Sequence, residues 1–393
     1  MKNIVYLVKY GEIFTKGDNR HVFMDTLVKN IKRSIKIAGN FDVLKEQGRI
    51  VIEPKDESYD EYKLEDKLKK VFGIIGYSKA IRFEEKDFCV ITNNAVDFIK
   101  ESVSNLNCTF KVEAKRSDKS FPMNSPKICI ELGGNILDNI PTLKVDVNNP
   151  DVTVWVEIRE QVYIYLNTVK TFGGMPIGTN GKSLLLLSGG IDSPVAGWMI
   201  AKRGVFVEGI YFDSPPYTSE LAKGKVVTLA EKIGEYIPHM KLHRVNFTDI
   251  QLYIKEKCPL DELTIIMRML MMKIAERVAE EIDAQSLITG ESIGQVASQT
   301  MYSLAVTNSS VKMPVFRPLI GFDKEEIINI ATKIDTYETS ILPYEDCCTL
   351  FVAKHPKTKP NLEGILKSME NLKDIEEMLD KAVKTREIIE INR

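Results

Sequence analysis

The chain has 393 residues, 44% hydrophobic and 27% charged, with a formal net charge of −2, enough material for two or three domains. No apolar run approaches the roughly 20 residues of a membrane-spanning helix, and the opening Met1-Lys2-Asn3-Ile4-Val5-Tyr6 lacks the apolar stretch of a secretory signal, so a cytoplasmic location is expected. The cysteines Cys89, Cys108, Cys129, Cys258, Cys347 and Cys348 form no Cys-x-x-Cys pair, which argues against zinc ribbons and three-cysteine iron–sulfur sites, and a chain this long with no secretion signal is not expected to carry a disulfide framework.

Residues 1–60 read as strand, helix and strands. Ile4, Val5 and Leu7 mark a short strand. Val22, Phe23, Leu27, Ile31 and Ile35 then recur at helical spacing, with Lys29, Lys32, Arg33 and Lys36 mainly on the other face. Val43-Leu44 and Ile50-Val51-Ile52 flank a turn at Gly48. Residues 61–166 read as a second α+β unit. Leu64, Leu68 and Val71 mark a helix ending at Gly73, Phe110–Ala114 alternates as a strand, and Ile128, Ile130, Leu132 and Ile136 mark another helix. Strands Leu143–Val147 and Val152–Ile158 follow around the turn Asn148-Asn149-Pro150-Asp151, and Val162, Ile164 and Leu166 alternate once more. Residues 1–120 are richer in Lys and Arg on predicted helix faces than the Glu-rich tail, and a near-neutral total can hide such local basic surface. Residues 167–180, punctuated by three glycines and a proline, read as a linker.

Residues 181–393 change to alternating strand and helix: Leu184–Leu187, Val205–Phe212, Lys241–Val245 and Ser286–Thr289, with helices between them including 264–282. This is the doubly wound parallel α/β pattern, in which ligands bind at the carboxyl ends of the strands. The tail from about 361 reads as helical and charged.

Leu184 to Leu187 run directly into Ser188-Gly189-Gly190-Ile191-Asp192-Ser193-Pro194 and the apolar helix start Val195-Ala196-Gly197-Trp198. The two glycines permit close backbone approach to an anion, amides at a helix N-terminus attract it, and Ser188 and Ser193 add hydroxyl donors. Pro194 suits a first helical turn. Gly181-Lys182-Ser183 imitates a Walker loop, but Pro176 stands where that pattern needs glycine and the lysine precedes a strand, so the Walker reading fails. Arg268, inside the apolar helix Ile265-Ile266-Met267-Arg268-Met269, needs a partner, and a nucleotide phosphate would suffice. Met267, Met269, Met271 and Met272 read as core filling, and Cys89, Cys108, Cys129 and Cys258 as buried apolar side chains. His21, His239, His243 and His355 share no metal-ligand spacing.

Ser188–Ser193 resembles the PP-loop signature of the adenylating ATP pyrophosphatases, which cleave ATP to AMP and pyrophosphate. Tyr10-Gly11-Glu12-Ile13-Phe14-Thr15-Lys16-Gly17-Asp18-Asn19-Arg20 resembles the opening of the tRNA 4-thiouridine synthetases of the ThiI type. Ala114-Lys115-Arg116-Ser117-Asp118-Lys119-Ser120-Phe121-Pro122 resembles part of a THUMP RNA-binding domain. Thr289-Gly290-Glu291-Ser292-Ile293-Gly294-Gln295-Val296-Ala297-Ser298-Gln299-Thr300 and Glu345-Asp346-Cys347-Cys348 match the same family.

The resemblance covers essentially the whole chain. It implies a ferredoxin-like domain at 1–60, a THUMP domain at 61–166, a linker at 167–180 and a PP-loop domain of adenine nucleotide alpha hydrolase-like fold at 181–393. It implies ATP and Mg2+ as cofactors, with nucleotide contacts at Leu186, Leu187, Tyr211, Phe212, Arg268, Gly290 and Gln299 and phosphate contacts at Ser188, Gly189, Gly190, Asp192 and Ser193. Asp192 is expected to orient magnesium or pyrophosphate, Cys347 to handle sulfur with Cys348 as its rival, and Lys115, Arg116 and Lys119 to contact RNA. No resident metal ligands are expected. The implied reaction is O4 adenylation of uridine 8 of tRNA followed by displacement of AMP by persulfide sulfur. Implied partners are tRNA, a cysteine desulfurase, a thiazole-pathway sulfur-carrier protein and a second copy of the chain. Ending at Arg393, the chain is expected to lack the rhodanese-like domain of longer members. Two other readings compete: a PP-loop synthetase amidating a small molecule, which would not need the basic N-terminal 170 residues, and a catalytically dead tRNA-binding protein, against which the intact turn and Cys347 argue.

Overall fold

The computed structural model describes residues 3–344 and 356–391. The chain divides into two units, Met1–Gly174 and Met175–Arg393.

The first unit comprises β1 (Asn3–Tyr10), α1 (Arg20–Ile35), β2 (Phe41–Glu46), β3 (Arg49–Pro54), α2 (Glu61–Lys69), β4 (Ile74–Phe83), α3 (Phe88–Ser102), β5 (Thr109–Arg116), α4 (Ser125–Asn139), β6 (Lys144–Val145), β7 (Val152–Ile158), β8 (Val162–Tyr165) and β9 (Val169–Lys170). Among the described residues one sheet, ordered β2-β3-β1-β4-β8-β7-β5-β6 with β9 beside β4, runs through the whole unit. Side chains alternate across it: Tyr6 and Val8 of β1 join Leu27, Ile31 and Ile35 of α1 in one core, while Val5 and Leu7 pack on the opposite face with Tyr163 and Tyr165. A second core forms where Phe98 and Ile99 of α3 and Leu132 and Ile136 of α4 meet Val154, Val156 and Ile158 of β7.

Four features differ from the sequence expectation. Leu64 and Leu68 of α2 pack in the core built by α1, although the periodicity placed that helix at the start of the second α+β segment. The strand expected over Leu143–Val147 pairs only at Lys144–Val145; the Asp146 carboxylate accepts from the amides of Asn148 at 2.9 Å and Asn149 at 3.0 Å, which turns the chain out of the sheet. The expected linker is tied down: Val169–Lys170 pairs with β4, and the Gly73 amide donates to the Gly173 carbonyl at 2.8 Å. Of the cysteines expected to be buried, Cys258 is; Cys89 is exposed, and Cys108 and Cys129 are partly so.

The second unit comprises β10 (Lys182–Leu186), α5 (Asp192–Ala201), β11 (Phe206–Asp213), α6 (Glu220–Gly234), β12 (Lys241–Asn246), α7 (Thr248–Lys257), α8 (Leu263–Glu281), β13 (Ser286–Ile288), α9 (Met301–Asn308), β14 (Val315–Phe316), α10 (Lys324–Lys333), α11 (Tyr337–Ser340), α12 (Leu362–Met369), α13 (Ile375–Lys384) and β15 (Glu387–Glu390). Its sheet runs β14-β13-β10-β11-β12-β15, parallel except for β15. The chain grows from β10 through β11 and β12, then returns on the other side of β10 as β13. That reversal opens a crevice at the carboxyl ends of β10 and β13. Helix α8 lies in the core with Ile265, Ile266, Met269, Leu270 and Ile274 buried, each contributing about 1.5–3 kcal/mol through removal from water. The tail from 361 is helical as expected until β15 adds an antiparallel edge strand. Lys182 opens β10, where its ammonium donates to the Ile282 carbonyl at 2.9 Å and pairs with Glu208 at 3.2 Å, far from any phosphate-loop role. Among the described residues, no helix is long and apolar enough to cross a membrane.

Candidate active site

The turn after β10 is closed by its own serines. The Ser188 amide donates to Ser193 Oγ at 2.9 Å and the Gly190 amide to Ser188 Oγ at 3.3 Å. Helix α5 then starts at Asp192 with Ser193 and Pro194 buried. This leaves a helix N-terminus, with its positive end of the backbone dipole, at the mouth of the crevice.

A second loop clasps this turn. A Cβ on Gly290 would lie 2.6 Å from the Ser193 amide nitrogen and 2.8 Å from the Asp192 carbonyl carbon. Only glycine allows the end of β13 to rest against the turn after β10. From the other side Lys324, in the first turn of α10, reaches Asp192 Oδ1 at 2.8 Å. That helix is fixed by a reciprocal cap between Asp323 and Glu326.

At this crevice lies a cavity of about 470 Å3. Leu186, Leu187, Ser188, Gly190, Asp192 and Ser193 line it from β10 and its turn, Tyr211 and Phe212 from the end of β11, Gly290 and Gln299 from the loop after β13, and Arg268 from α8. Gly189 belongs to the same turn but not to the lining. Met267, Met271 and Met272 both fill the core and wall the cavity, whereas Met269 is core alone. The cavity thus has a polar end at the turn and an apolar end beneath α8. The Gln299 amide oxygen is buried with no hydrogen-bond partner among the described residues. An orphan buried acceptor costs about 1–3 kcal/mol, and a ligand N–H such as a purine amino group would satisfy it.

Arg268 has protein partners, where the sequence offered a phosphate alone: Glu291, on a short contact, and Ser298 Oγ at 3.0 Å. Sequence reasoning passed over Glu291, Arg317, Lys324 and Lys357. Glu291 follows Gly290 in the loop just past β13, which was the available signal; the other three are charges with no local pattern. Lys357 lines the cavity while its ammonium donates to Glu262 at 2.6 Å.

Among the described residues no group of three or more His, Cys, Asp or Glu is placed to hold a metal ion. The chemistry present suits magnesium arriving on phosphate oxygens with one carboxylate, Asp192, at the turn.

The RNA candidates lie in the first unit. Lys115, at the end of β5, and Lys119 are exposed. Arg116 is half-buried; its guanidinium donates to the Phe121 carbonyl at 3.0 Å and so braces the loop that carries Lys119. Lys86, at 2.6 Å, and then Ser120 hold the Asp118 carboxyl well below the usual carboxylate range. Cys347 and Cys348, with Glu345, Asp346 and Lys354, lie outside the described residues.

Residues 5–78 match the model of the ThiI ferredoxin-like domain, 85–167 that of the THUMP domain, and 178–373 that described as thiamine biosynthesis protein (ThiI). The chain is 55% identical over 394 residues to a probable tRNA sulfurtransferase of Acetivibrio thermocellus, covering all of both proteins. It is 53% identical over 391 residues to a probable tRNA sulfurtransferase of Caldanaerobacter subterraneus, again over both full lengths. Among solved structures it superposes on a 4-thiouridine synthetase–RNA complex with bound ATP at a TM-score of 0.92 and 42% identity, covering 99% of this chain and 100% of that one. With its ferredoxin-like and THUMP domains followed by a PP-loop domain, the chain belongs to the ThiI family.

Proposed function

We propose that this chain is a tRNA sulfurtransferase that uses ATP to make 4-thiouridine. The observation that carries the reading is the clasp of Gly290 on Asp192–Ser193 at the strand-end cavity. It presents a helix N-terminus, two serine hydroxyls and Arg268 around one space, as triphosphate binding requires. The relatives' names and the ATP- and RNA-bound neighbour support both substrates.

The reading keeps an RNA-binding half at 1–166 and a catalytic half from 181; the family models, matching 5–78, 85–167 and 178–373, support the same order. In the reaction, O4 of uridine 8 attacks the α-phosphorus of ATP and pyrophosphate leaves. The adenylated oxygen is then a good leaving group. The terminal sulfur of a persulfide, supplied by a cysteine desulfurase, attacks C4, and AMP departs with O4. Ser188, Gly189, Gly190 and Ser193 hold the phosphates, Asp192 with Lys324 orients the pyrophosphate, and Leu186, Leu187, Tyr211, Phe212, Gly290 and Gln299 hold the adenosine. Magnesium, when bound, neutralises the triphosphate. Cys347 accepts the persulfide sulfur or attacks it to release product, leaving a disulfide with another thiol; Cys348 is the alternative. Lys115, Arg116 and Lys119 approach the tRNA backbone, and the working form is a homodimer. The thiamine biosynthesis description of the matching family model supports a second outlet for the same sulfur through a carrier protein.

The test is incubation of purified chain with ATP, magnesium, cysteine, a cysteine desulfurase and unmodified tRNA. Near-ultraviolet absorbance of 4-thiouridine should grow only when ATP is present. A folded chain that gives none, or gives it equally without ATP, overturns the reading.

A further inference from the structure

Glu291 is a buried carboxylate in the wall of a cavity read here as the site of a polyanion, a place where an unpaired negative charge would repel the substrate. Its side chain is 6% exposed. One oxygen accepts from Arg268, and the other accepts from Arg317 Nε at 2.7 Å and Thr289 Oγ1 at 2.8 Å. Its position is set by the neighbouring residue, since Gly290 rests against the Asp192–Ser193 backbone. The carboxylate is therefore registered to the phosphate turn within one residue. The two guanidiniums it holds differ in where they face. Arg268 lines the cavity and reaches Ser298, also a lining residue; Arg317 is outside the lining and donates to Asn308 at 3.0 Å.

Of the two guanidiniums that Glu291 holds, that of Arg268 is the one belonging to the cavity wall. We infer that Glu291 is a positioning residue. It holds Arg268 at the cavity wall in the pose that takes a phosphate oxygen of ATP, while Arg317 and Thr289 keep the carboxylate itself from turning into the cavity. This rests on the ATP reading and deepens it, because it assigns the orientation of the phosphate-binding arginine to an acid that the nucleotide need not touch.

The sign of the effect separates this role from simple electrostatics. If Glu291 acted only as a nearby negative charge, Glu291→Gln would strengthen ATP binding. If it positions Arg268, the same change turns an amide N–H or a neutral oxygen toward a guanidinium, frees the arginine and weakens binding.

A double-mutant cycle on the full chain, read as the dissociation constant for the non-cleavable analogue AMPCPP with magnesium, decides the matter. Arg268→Ala and Glu291→Gln should each weaken binding roughly tenfold, the scale of a lost hydrogen bond to a charged group. The double variant should be within about twofold of the weaker single. Should Glu291→Gln fail to fold, Thr289→Val removes one donor without unpairing a charge. It should cost roughly two- to threefold and nothing further in the Arg268→Ala background. Losses that multiply in the double variants, or unchanged or tighter binding in both Glu291→Gln and Thr289→Val, overturn the inference. A wild-type chain that binds no AMPCPP removes the ATP reading as well; multiplying losses in a chain that binds it remove this inference alone.

Discussion

The cavity of the second unit and the basic strand end of the first, which we propose for ATP and for RNA, are built in opposite ways. Around Ser188–Ser193 the groups are fixed by one another: serine against serine, Gly290 against backbone, Arg268 against Glu291, Lys324 against Asp192, with the Gln299 oxygen left over. Of the three RNA candidates at the end of β5, Lys115 and Lys119 stand in solvent, and Arg116 is braced by a carbonyl. A small triphosphate needs a fixed pocket because its binding energy must come from a few oriented contacts. An RNA backbone repeats its charges, so solvated lysines suffice and their summed attraction is screened by salt. The difference predicts that single substitutions should be severe in the cavity and graded on the strand end.

The severest should be Asp192→Ala. Thiolation should fall roughly 100- to 1000-fold, the scale for removing one preorganised charge from an active site, while the tRNA dissociation constant stays within about twofold, since that surface lies in the other unit. Filter binding beside the thiolation assay reads both; equal loss of tRNA affinity would break the comparison. Next is Gly290→Ala, whose added Cβ meets the Ser193 amide nitrogen at 2.6 Å. Forcing the clasp apart should cost about 1–3 kcal/mol of stability and raise the KM for ATP more than it lowers the melting temperature would explain. An unchanged KM would show that the clasp is not part of the site.

On the strand end, Lys115→Ala and Lys119→Ala should each weaken tRNA binding roughly threefold to tenfold and reduce the slope of log affinity against log salt by about one. Arg116→Ala should weaken binding with a smaller slope change, because its guanidinium works on the Phe121 carbonyl. A cavity-like loss of a hundredfold at any of them would mean that the strand end too is a fixed pocket.

The smallest effect is acid sensitivity, which should have opposite sign in the two units. Burial raises the Glu157 carboxyl, but Arg49, Tyr165 and Arg159 outweigh it and hold it below its ordinary value. A depressed folded pKa means that its stabilisation is present above the unfolded value of about 4.3 and lost as pH falls through the folded value. Asp213 is raised, because burial outweighs Arg244. Its stability contribution is full below the unfolded value of about 3.9 and is lost as pH rises through the folded one. In thermal melts between acid and neutral pH, Glu157→Gln should flatten the acid decline and Asp213→Asn should flatten the opposing slope. Matching signs would contradict the comparison.

The same contrast explains what could be read from the sequence. The Leu184–Leu187 run ending in Ser-Gly-Gly announced a strand, a turn and a helix because each carries a local signal, and Leu186, Leu187, Ser188, Gly190, Asp192 and Ser193 line one cavity with Arg268, Gly290 and Gln299, though Gly189 does not. Glu291 went unread as the partner of Arg268 because a loop glutamate has no period, although its place beside Gly290 was visible. Strands Val315–Phe316 and Glu387–Glu390 are too short to alternate and exist only because the sheet offers them an edge. Helix Glu61–Lys69 was recognised as a helix, but its core partners Leu27 and Ile31 are set by tertiary packing, which no local window contains. Val152–Ile158, flanked by an Asn-Asn-Pro-Asp turn and alternating throughout, was legible to its ends.

The most direct test of the central claim counts molecules of AMP against molecules of 4-thiouridine in a reaction of the purified chain with ATP, unmodified tRNA, cysteine and a cysteine desulfurase. Adenylation of the uridine oxygen at the strand-end cavity predicts one AMP and one pyrophosphate per thiouridine, all lost in Asp192→Ala; thiouridine formed with release of ADP, or without ATP cleavage, would contradict it.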